Sequence, residues 1–241
     1  MRKPTSRQTP SFGRPSTNNQ ILNALSDDVI ERLLPDMEEA PLKLGQVLYR
    51  AEESVNHVYF PSNSMVCVVA NTAEGQTSEV GVIGREGVVG LSVFLGVDTT
   101  ANDLLVQSAD SSTRVGVEAI RREFARGGEM QNLILRFTHD FVTQISQTAL
   151  CNRLHSIEER LSRWLLMCRD RSGTNDLPLT QEFLSIMLGA NRPSITLAAI
   201  NLQSAGLIKY SRGHIKILNR EELEEFSCDC YRKVVEEYGR K

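Results

Sequence analysis

The chain has 241 residues, 41% of them hydrophobic, and a formal net charge of −3. That length holds two modest domains with hydrophobic cores, and the near-neutral balance excludes a wholly basic nucleic-acid coat. There is no long uncharged apolar run and no apolar signal core near the start, so neither a membrane span nor secretion is expected.

In chain order, Met1 to Asn19 is rich in Pro, Ser, Thr, Asn and Arg, with Phe12 its only bulky apolar residue. Such a segment buries too little surface to offset its ordering entropy, and a disordered tail over 1–19 is expected. Ile21 to Leu34 carries apolar residues at helical spacing, with Ser26–Asp27–Asp28 placed to break or recap the helix. From Leu42 to Val117, short β-branched runs alternate with Gly, Asn, Ser and Pro; examples are His57–Phe60, Met65–Ala70, Glu79–Ile83 and Leu104–Gln107. This texture predicts an all-β roll, barrel or sandwich.

Helix returns after Arg122. Met130, Ile134, Phe137, Phe141, Gln144, Thr148 and Cys151 recur at alternating spacings of four and three. That is a coiled-coil-like seam, and its first six residues are expected at a dimer interface. The alternative is a helix whose one apolar face packs on its own β domain.

Charge then shifts. From Arg153 to Arg220 there are ten basic residues against five acidic ones, which suits a polyanion read locally. Within this stretch Thr180 is a good N-cap, and Phe183, Leu184, Met187 and Leu188 form one apolar face. Gly189 supplies a tight turn, and Asn191 or Arg192 caps a second helix with Pro193 in its first turn. Ile195, Ala198, Ala199 and Leu202 face inward, leaving Arg192, Ser194, Thr196 and Gln203 outward. Gly206 ends the helix, and Leu207–Tyr210 and His214–Leu218 read as a hairpin around Ser211–Arg212–Gly213. This is a winged helix-turn-helix. The N-terminal part of its second helix enters the major groove, so Arg192, Ser194 and Thr196 are expected on base edges. Thr180, Gln181 and Asn191, with Lys209, Arg212, His214 and Lys216 of the wing, are expected on the DNA backbone.

Catalytic and metal patterns are wanting. His57, His139, His155 and His214 read as isolated, and Gly81-Val-Ile-Gly84 lacks the Lys of a phosphate loop. An enzyme is not expected. The five cysteines, Cys67, Cys151, Cys168, Cys228 and Cys230, fit reduced thiols of a cytoplasmic protein better than a disulfide framework. Cys228-Asp-Cys230 has poor spacing for two ligands of one zinc, and Cys67 with His57 is a weak haem pair. No cofactor or metal site is therefore expected, although a redox, metal or haem sensor using Cys67/His57 or Cys228/Cys230 stands as the alternative function.

Carried by LTQEFLSIMLGANRPSITLAAINLQSAGLI with its wing, and by LGQVLYRAEESVNHVYFP and SEVGVIGREGVVGLSVFLG, the chain resembles the Crp/Fnr family of bacterial transcription regulators. The resemblance implies an α+β chain: an N-terminal cyclic-nucleotide-binding-like β-roll (jelly roll), a long dimerisation helix and a C-terminal winged helix-turn-helix. The corresponding boundaries are 20–127, 128–152 and 153–241. Its implied partners are double-stranded DNA with a two-fold operator, a second copy of the chain, and RNA polymerase. Two departures stand out. In the recognition helix, the Glu that follows the family's first base-contacting Arg is Pro193 here, and a later Arg is Leu197, so a different operator is expected. In the roll, Leu91 stands where cyclic-nucleotide binders place a Glu for the ribose hydroxyl, and Thr99 to Leu104 holds no Arg for the phosphate. Cyclic AMP and cyclic GMP are therefore not expected to bind; the effector is not legible.

Overall fold

A computed structural model of the chain describes residues 16–211 and 213–239; most of the expected tail lies outside them. Of the described part of that tail, residues 16–19, Thr17 to Asn19 are held against the body. Thr17 Oγ1 lies 2.7 Å from Ser62 Oγ. Asn19 is buried, donates to the carbonyls of Pro61 and Gly87 at 3.0 and 2.9 Å, and accepts from the Leu22 amide at 3.1 Å. One amide side chain thus satisfies three backbone groups from three segments, which composition does not reveal. Asn19 caps helix α1 (Gln20–Ala24), and extended backbone at Leu25 and Ser26 separates it from α2 (Asp27–Leu33).

The roll consists of two antiparallel sheets. Strands β1 (Met37–Glu39), β7 (Ser112–Gly116) and β3 (His57–Pro61) form one in that order; β2 (Val47–Tyr49), β6 (Asp103–Ser108), β4 (Met65–Asn71) and β5 (Thr77–Ile83) form the other. Along β4 the side chains split by period two between two cores. Val66 and Val68 join Val58, Phe60, Val106 and Val115 inside the roll, whereas Met65, Cys67 and Val69 join Trp164, Leu165 and Leu184 of the C-terminal domain. Both faces of the strand are covered, so its sequence reads as a continuous apolar run.

Helix α3 (Val117–Ala125) starts earlier than the sequence suggests and leads into α4 (Glu129–Leu154), 26 residues long. The expected dimer-interface residues Met130, Ile134, Phe137, Phe141 and Gln144 are buried within the single chain, and this placement corrects the expectation. The first four join the roll's own core. A Cβ on Gly81 would stand 2.8 Å from the Phe141 ring, and one on Gly87 would meet the Phe137 ring. Gln144 accepts from the Val82 amide at 2.9 Å and donates to the Val82 carbonyl at 3.1 Å, so it pairs with β5 as a neighbouring strand would. Thr148, half-buried, accepts from Arg163 at 2.8 Å. The heptad spacing is real, but the glycine-lined sheet supplies its apolar partner. The opposite face of α4 exposes Leu135 (50%), Val142 (56%), Leu150 (45%) and Leu154 (64%).

Helix α5 (Ile157–Ser172) opens with a Ser156–Glu159 capping box and runs through the second core. Behind it come β8 (Asp176–Pro178), α6 (Gln181–Met187), α7 (Arg192–Ser204), β9 (Ile208–Ser211), β10 (His214–Ile217), α8 (Arg220–Phe226) and α9 (Asp229–Gly239). The wing sheet has the order β8-β10-β9, so the hairpin gains a third strand that its own sequence does not announce. Helix α9 returns to pack along α4.

Candidate nucleic-acid interface

Local chemistry builds the α6–α7 unit. Thr180 Oγ1 accepts from the Phe183 amide at 3.1 Å and starts α6; Gly189 then takes φ 55°, the left-handed turn that favours glycine. Asn191 Oδ1 accepts from the Ser194 amide at 2.9 Å, so Asn191 rather than Arg192 is the cap of α7. The helices meet at 105°, inside the range of a helix-turn-helix. Ile195, Ala198, Ala199 and Leu202 are buried, the two alanines allowing close approach to α5 and α6.

The outer face of α7 is open. Arg192 is exposed, with Nη2 2.8 Å from Glu182 Oε1 on α6. Exposed pairs of this kind are weak and give way readily to a better anion. Ser194 and Thr196 are half-buried, and the Thr196 hydroxyl donates to the Arg192 carbonyl at 2.9 Å, leaving its oxygen as an acceptor. Leu197 (58%) and Ile200 (53%) are exposed beside them. In the sequence Leu197 stands out only as a missing Arg and Ile200 carries no expectation; two bulky apolar residues on the outer face are the available signal.

The wing stands next to α7. Gln203 Oε1 accepts from the Tyr210 amide at 2.8 Å, so Gln203 ties helix to wing. Lys209, His214 and Lys216 are exposed along one side, with Thr180 exposed and Gln181 half-buried at the start of α6. Arg212 lies outside the described residues. The basic excess of the segment overstates its surface charge, because Arg160, Arg163 and Arg171 are buried. Arg171 Nε donates to Glu86 at 2.7 Å beneath the roll, and Arg160 donates to the Leu188 carbonyl. At the turn between α6 and α7 the roll comes close: a Cβ on Gly189 would lie 3.1 Å from Ser78 Oγ on β5.

The same interface holds a buried polar chain. Trp164 Nε1 donates to Glu79 Oε1 at 2.9 Å, Cys67 Sγ lies 3.0 Å from Glu79 Oε2 and 2.8 Å from Gln107 Oε1, and Gln107 Nε2 donates to Cys168 Sγ at 2.9 Å. Burial pushes the Glu79 carboxyl up to about 7, against the pull of Arg163 and Arg171.

In the roll, Leu91 opens a short 3-10 helix (Leu91–Leu95) after Gly90. Two arginines near enough in sequence to replace the missing phosphate partner are engaged elsewhere. Arg114 on β7 pairs with Glu38 on the adjacent strand β1, and Arg85 donates to the Asp170 carbonyl at 3.1 Å. His57 and Cys67 fall on different sheets, so the structure does not bring that pair together. His155, in contrast, is not isolated: it sits one helical turn after Cys151, and its Nδ1 lies 3.7 Å from Cys230 Sγ. The spacing of four on a helix was the signal.

Residues 159–226 match the family of the Crp-like helix-turn-helix domain. The whole architecture, an α+β chain with a β-roll, a long helix and a winged helix-turn-helix, is that of Crp/Fnr regulators. Similar solved structures include FixK2 from Bradyrhizobium japonicum, 15% identical with a TM-score of 0.69 over 80% of this chain and 98% of that one. The c-di-GMP-responsive global regulator CLP of Xanthomonas campestris is 15% identical with a TM-score of 0.66, covering 80% of this chain and 100% of its own. A CRP-family transcriptional regulator from Thermus thermophilus is 13% identical with a TM-score of 0.66, over 78% and 96%. No curated protein sequence matches the chain.

Proposed function

We propose that the chain is a sequence-specific DNA-binding transcription regulator of the Crp/Fnr type that acts as a homodimer on a two-fold operator. The observation that carries this reading is the capped α6–α7 pair, with Arg192 exposed at the start of α7 beside a basic wing. Arg192 can pair with guanine O6 and N7, and Ser194 and Thr196 offer smaller groups to neighbouring edges. Leu197 and Ile200 add methyl groups suited to thymine. Thr180, Gln181, Asn191, Lys209, Arg212, His214 and Lys216 grip the backbone and fix the register.

The dimer forms through the exposed stripe Leu135, Val142, Leu150 and Leu154 of α4, the face that the roll leaves uncovered. Control is not by cyclic AMP or cyclic GMP. Leu91 offers no acceptor to a ribose hydroxyl, and the arginines that could neutralise a phosphate are paired elsewhere.

Selection of bound duplexes from a random pool tests the main reading. The expected product is a two-fold sequence with half-sites one helical turn, roughly 34 Å, apart. Equal recovery of all duplexes, or of none, refutes it. Isothermal titration with either cyclic nucleotide is expected to give no saturable heat.

A further inference from the structure

Cys151 lies in the last turn of α4 and His155 is its C-cap residue; Cys228 and Cys230 sit at the junction of α8 and α9. The packing of α9 along α4 brings all four together, with one ligand atom of each within 4.8 Å of every other. Cys151 Sγ is 3.5 Å from Cys228 Sγ, and Cys230 Sγ is 3.7 Å from His155 Nδ1. Sulfurs bound to one tetrahedral zinc at its usual bond length stand about 3.8 Å apart, and a sulfur and an imidazole nitrogen about 3.5 Å. The Cys151–Cys228 and Cys230–His155 separations are within about 0.3 Å of these edges, and the other four lie within 4.8 Å.

We propose that Cys151, His155, Cys228 and Cys230 form a closed site for one zinc ion, fastening the end of α4 to the α8–α9 junction. Three thiols and one imidazole are a common structural zinc set, and soft sulfur ligands favour this ion over magnesium or calcium. Four protein ligands leave no open position, so the site holds structure rather than activating water.

Two further observations agree. The three cysteines form a small buried cluster of their own, apart from both hydrophobic cores. Three thiols make a poor apolar core, whereas around an ion they need no other partner. Second, Arg160 and Arg163 are buried nearby, each with Nε lacking a hydrogen-bond partner, and neither pairs with a described carboxylate. Cys151 lies within electrostatic reach of both guanidiniums, and Cys230 of Arg163. A zinc ion with three thiolates carries net charge −1, which offsets part of this buried positive charge beside the more distant Glu79 that Arg163 also reaches. The three thiol protons leave to solvent when the ion binds.

The one-residue spacing of Cys228 and Cys230 fails to predict this site because each of them meets a ligand from α4, 75 or more residues earlier. An iron–sulfur cluster fits less well: four ligand atoms this close leave no room for irons and sulfides between them.

Metal analysis of the full chain tests the proposal without reference to DNA, so its failure leaves the regulator reading standing. Protein purified under reducing conditions is expected to hold one zinc per subunit through gel filtration. Cys228→Ser and Cys230→Ser should each reduce zinc to background, and Cys67→Ser should keep it. Should the first two variants misfold, cobalt exchange into the unmodified protein decides. Tetrahedral visible bands with strong thiolate-to-cobalt absorption support the site. A chain that holds neither zinc nor cobalt, a cobalt spectrum without thiolate absorption, a metal-free Cys151–Cys228 disulfide, or an iron–sulfur chromophore overturns it.

Discussion

The indole Nε1 of Trp164 donates to Glu79 Oε1 at 2.9 Å, so a side chain of the C-terminal domain closes over a carboxyl of the roll. A buried polar chain continues behind it. The Cys67 thiol faces two acceptors, Glu79 Oε2 at 3.0 Å and Gln107 Oε1 at 2.8 Å, and Gln107 Nε2 donates on to Cys168 Sγ at 2.9 Å. Glu79 ionises near 7 in the folded protein against 4.5 for an ordinary Glu. Between those values the unfolded chain has lost a proton that the folded chain keeps, so stability falls as pH rises. The loss is about 3 kcal/mol, complete above the folded value. Urea unfolding between pH 5 and about pH 8 is expected to show this decline. Glu79→Gln, which keeps both hydrogen bonds without a charge, should flatten it; an unchanged slope would assign the proton to another group.

Leu135→Glu and Val142→Glu are expected to yield folded monomers by sedimentation, because both side chains are exposed in the single chain. Phe137→Glu should instead cost at least about 3 kcal/mol of folding stability, since it puts a carboxylate into the roll's core. A folded, monomeric Phe137→Glu would return the seam to the dimer interface.

Arg192→Ala should weaken binding to the selected operator by about 1–3 kcal/mol and relax preference at one position of each half-site. Lys209→Ala and Lys216→Ala should weaken all sequences alike and flatten the salt dependence. Glu182→Gln frees Arg192 from its ion pair and is expected to tighten binding slightly. Electrophoretic shifts across salt concentrations on matched and mismatched duplexes read all three effects.

Gly87→Ala is expected to destabilise the chain by about 1–3 kcal/mol, because its Cβ would occupy space filled by the Phe137 ring. Phe137→Leu in the same chain should restore part of that loss. Additive effects in this pair, measured by thermal unfolding, would show that ring and glycine do not share one space.

The winged head was legible residue by residue, because caps and turns are local. Thr180, Gly189, Asn191 and Gly206 each act on backbone within a few positions, and their sequence carries the instruction. The strands were legible as runs. What the helical periodicity of α4 could not say is which partner meets the apolar stripe. A heptad seam and a helix lying on a glycine-lined sheet share one pattern, and only the position of Gly81 and Gly87 decides between them. The cysteine–histidine cluster and the Glu79 chain were hidden for another reason: their members come from distant segments, joined by packing alone. Arginine counts misled for the same cause, since Arg160, Arg163 and Arg171 look like surface charge until burial is known.

The rings of Phe137 and Phe141 sit in the gaps left by Gly87 and Gly81, and Gln144 is pinned to β5 one turn further on. In mechanical terms α4 is a spar riveted at three successive points, with no freedom to roll about its own axis relative to the sheet. Between this spar and α5, which opens on its own capping box, His155 and Ser156 have extended backbone. Compliance in the covalent chain therefore concentrates in a two-residue joint, and the contacts across that joint govern how far the reading head can swing.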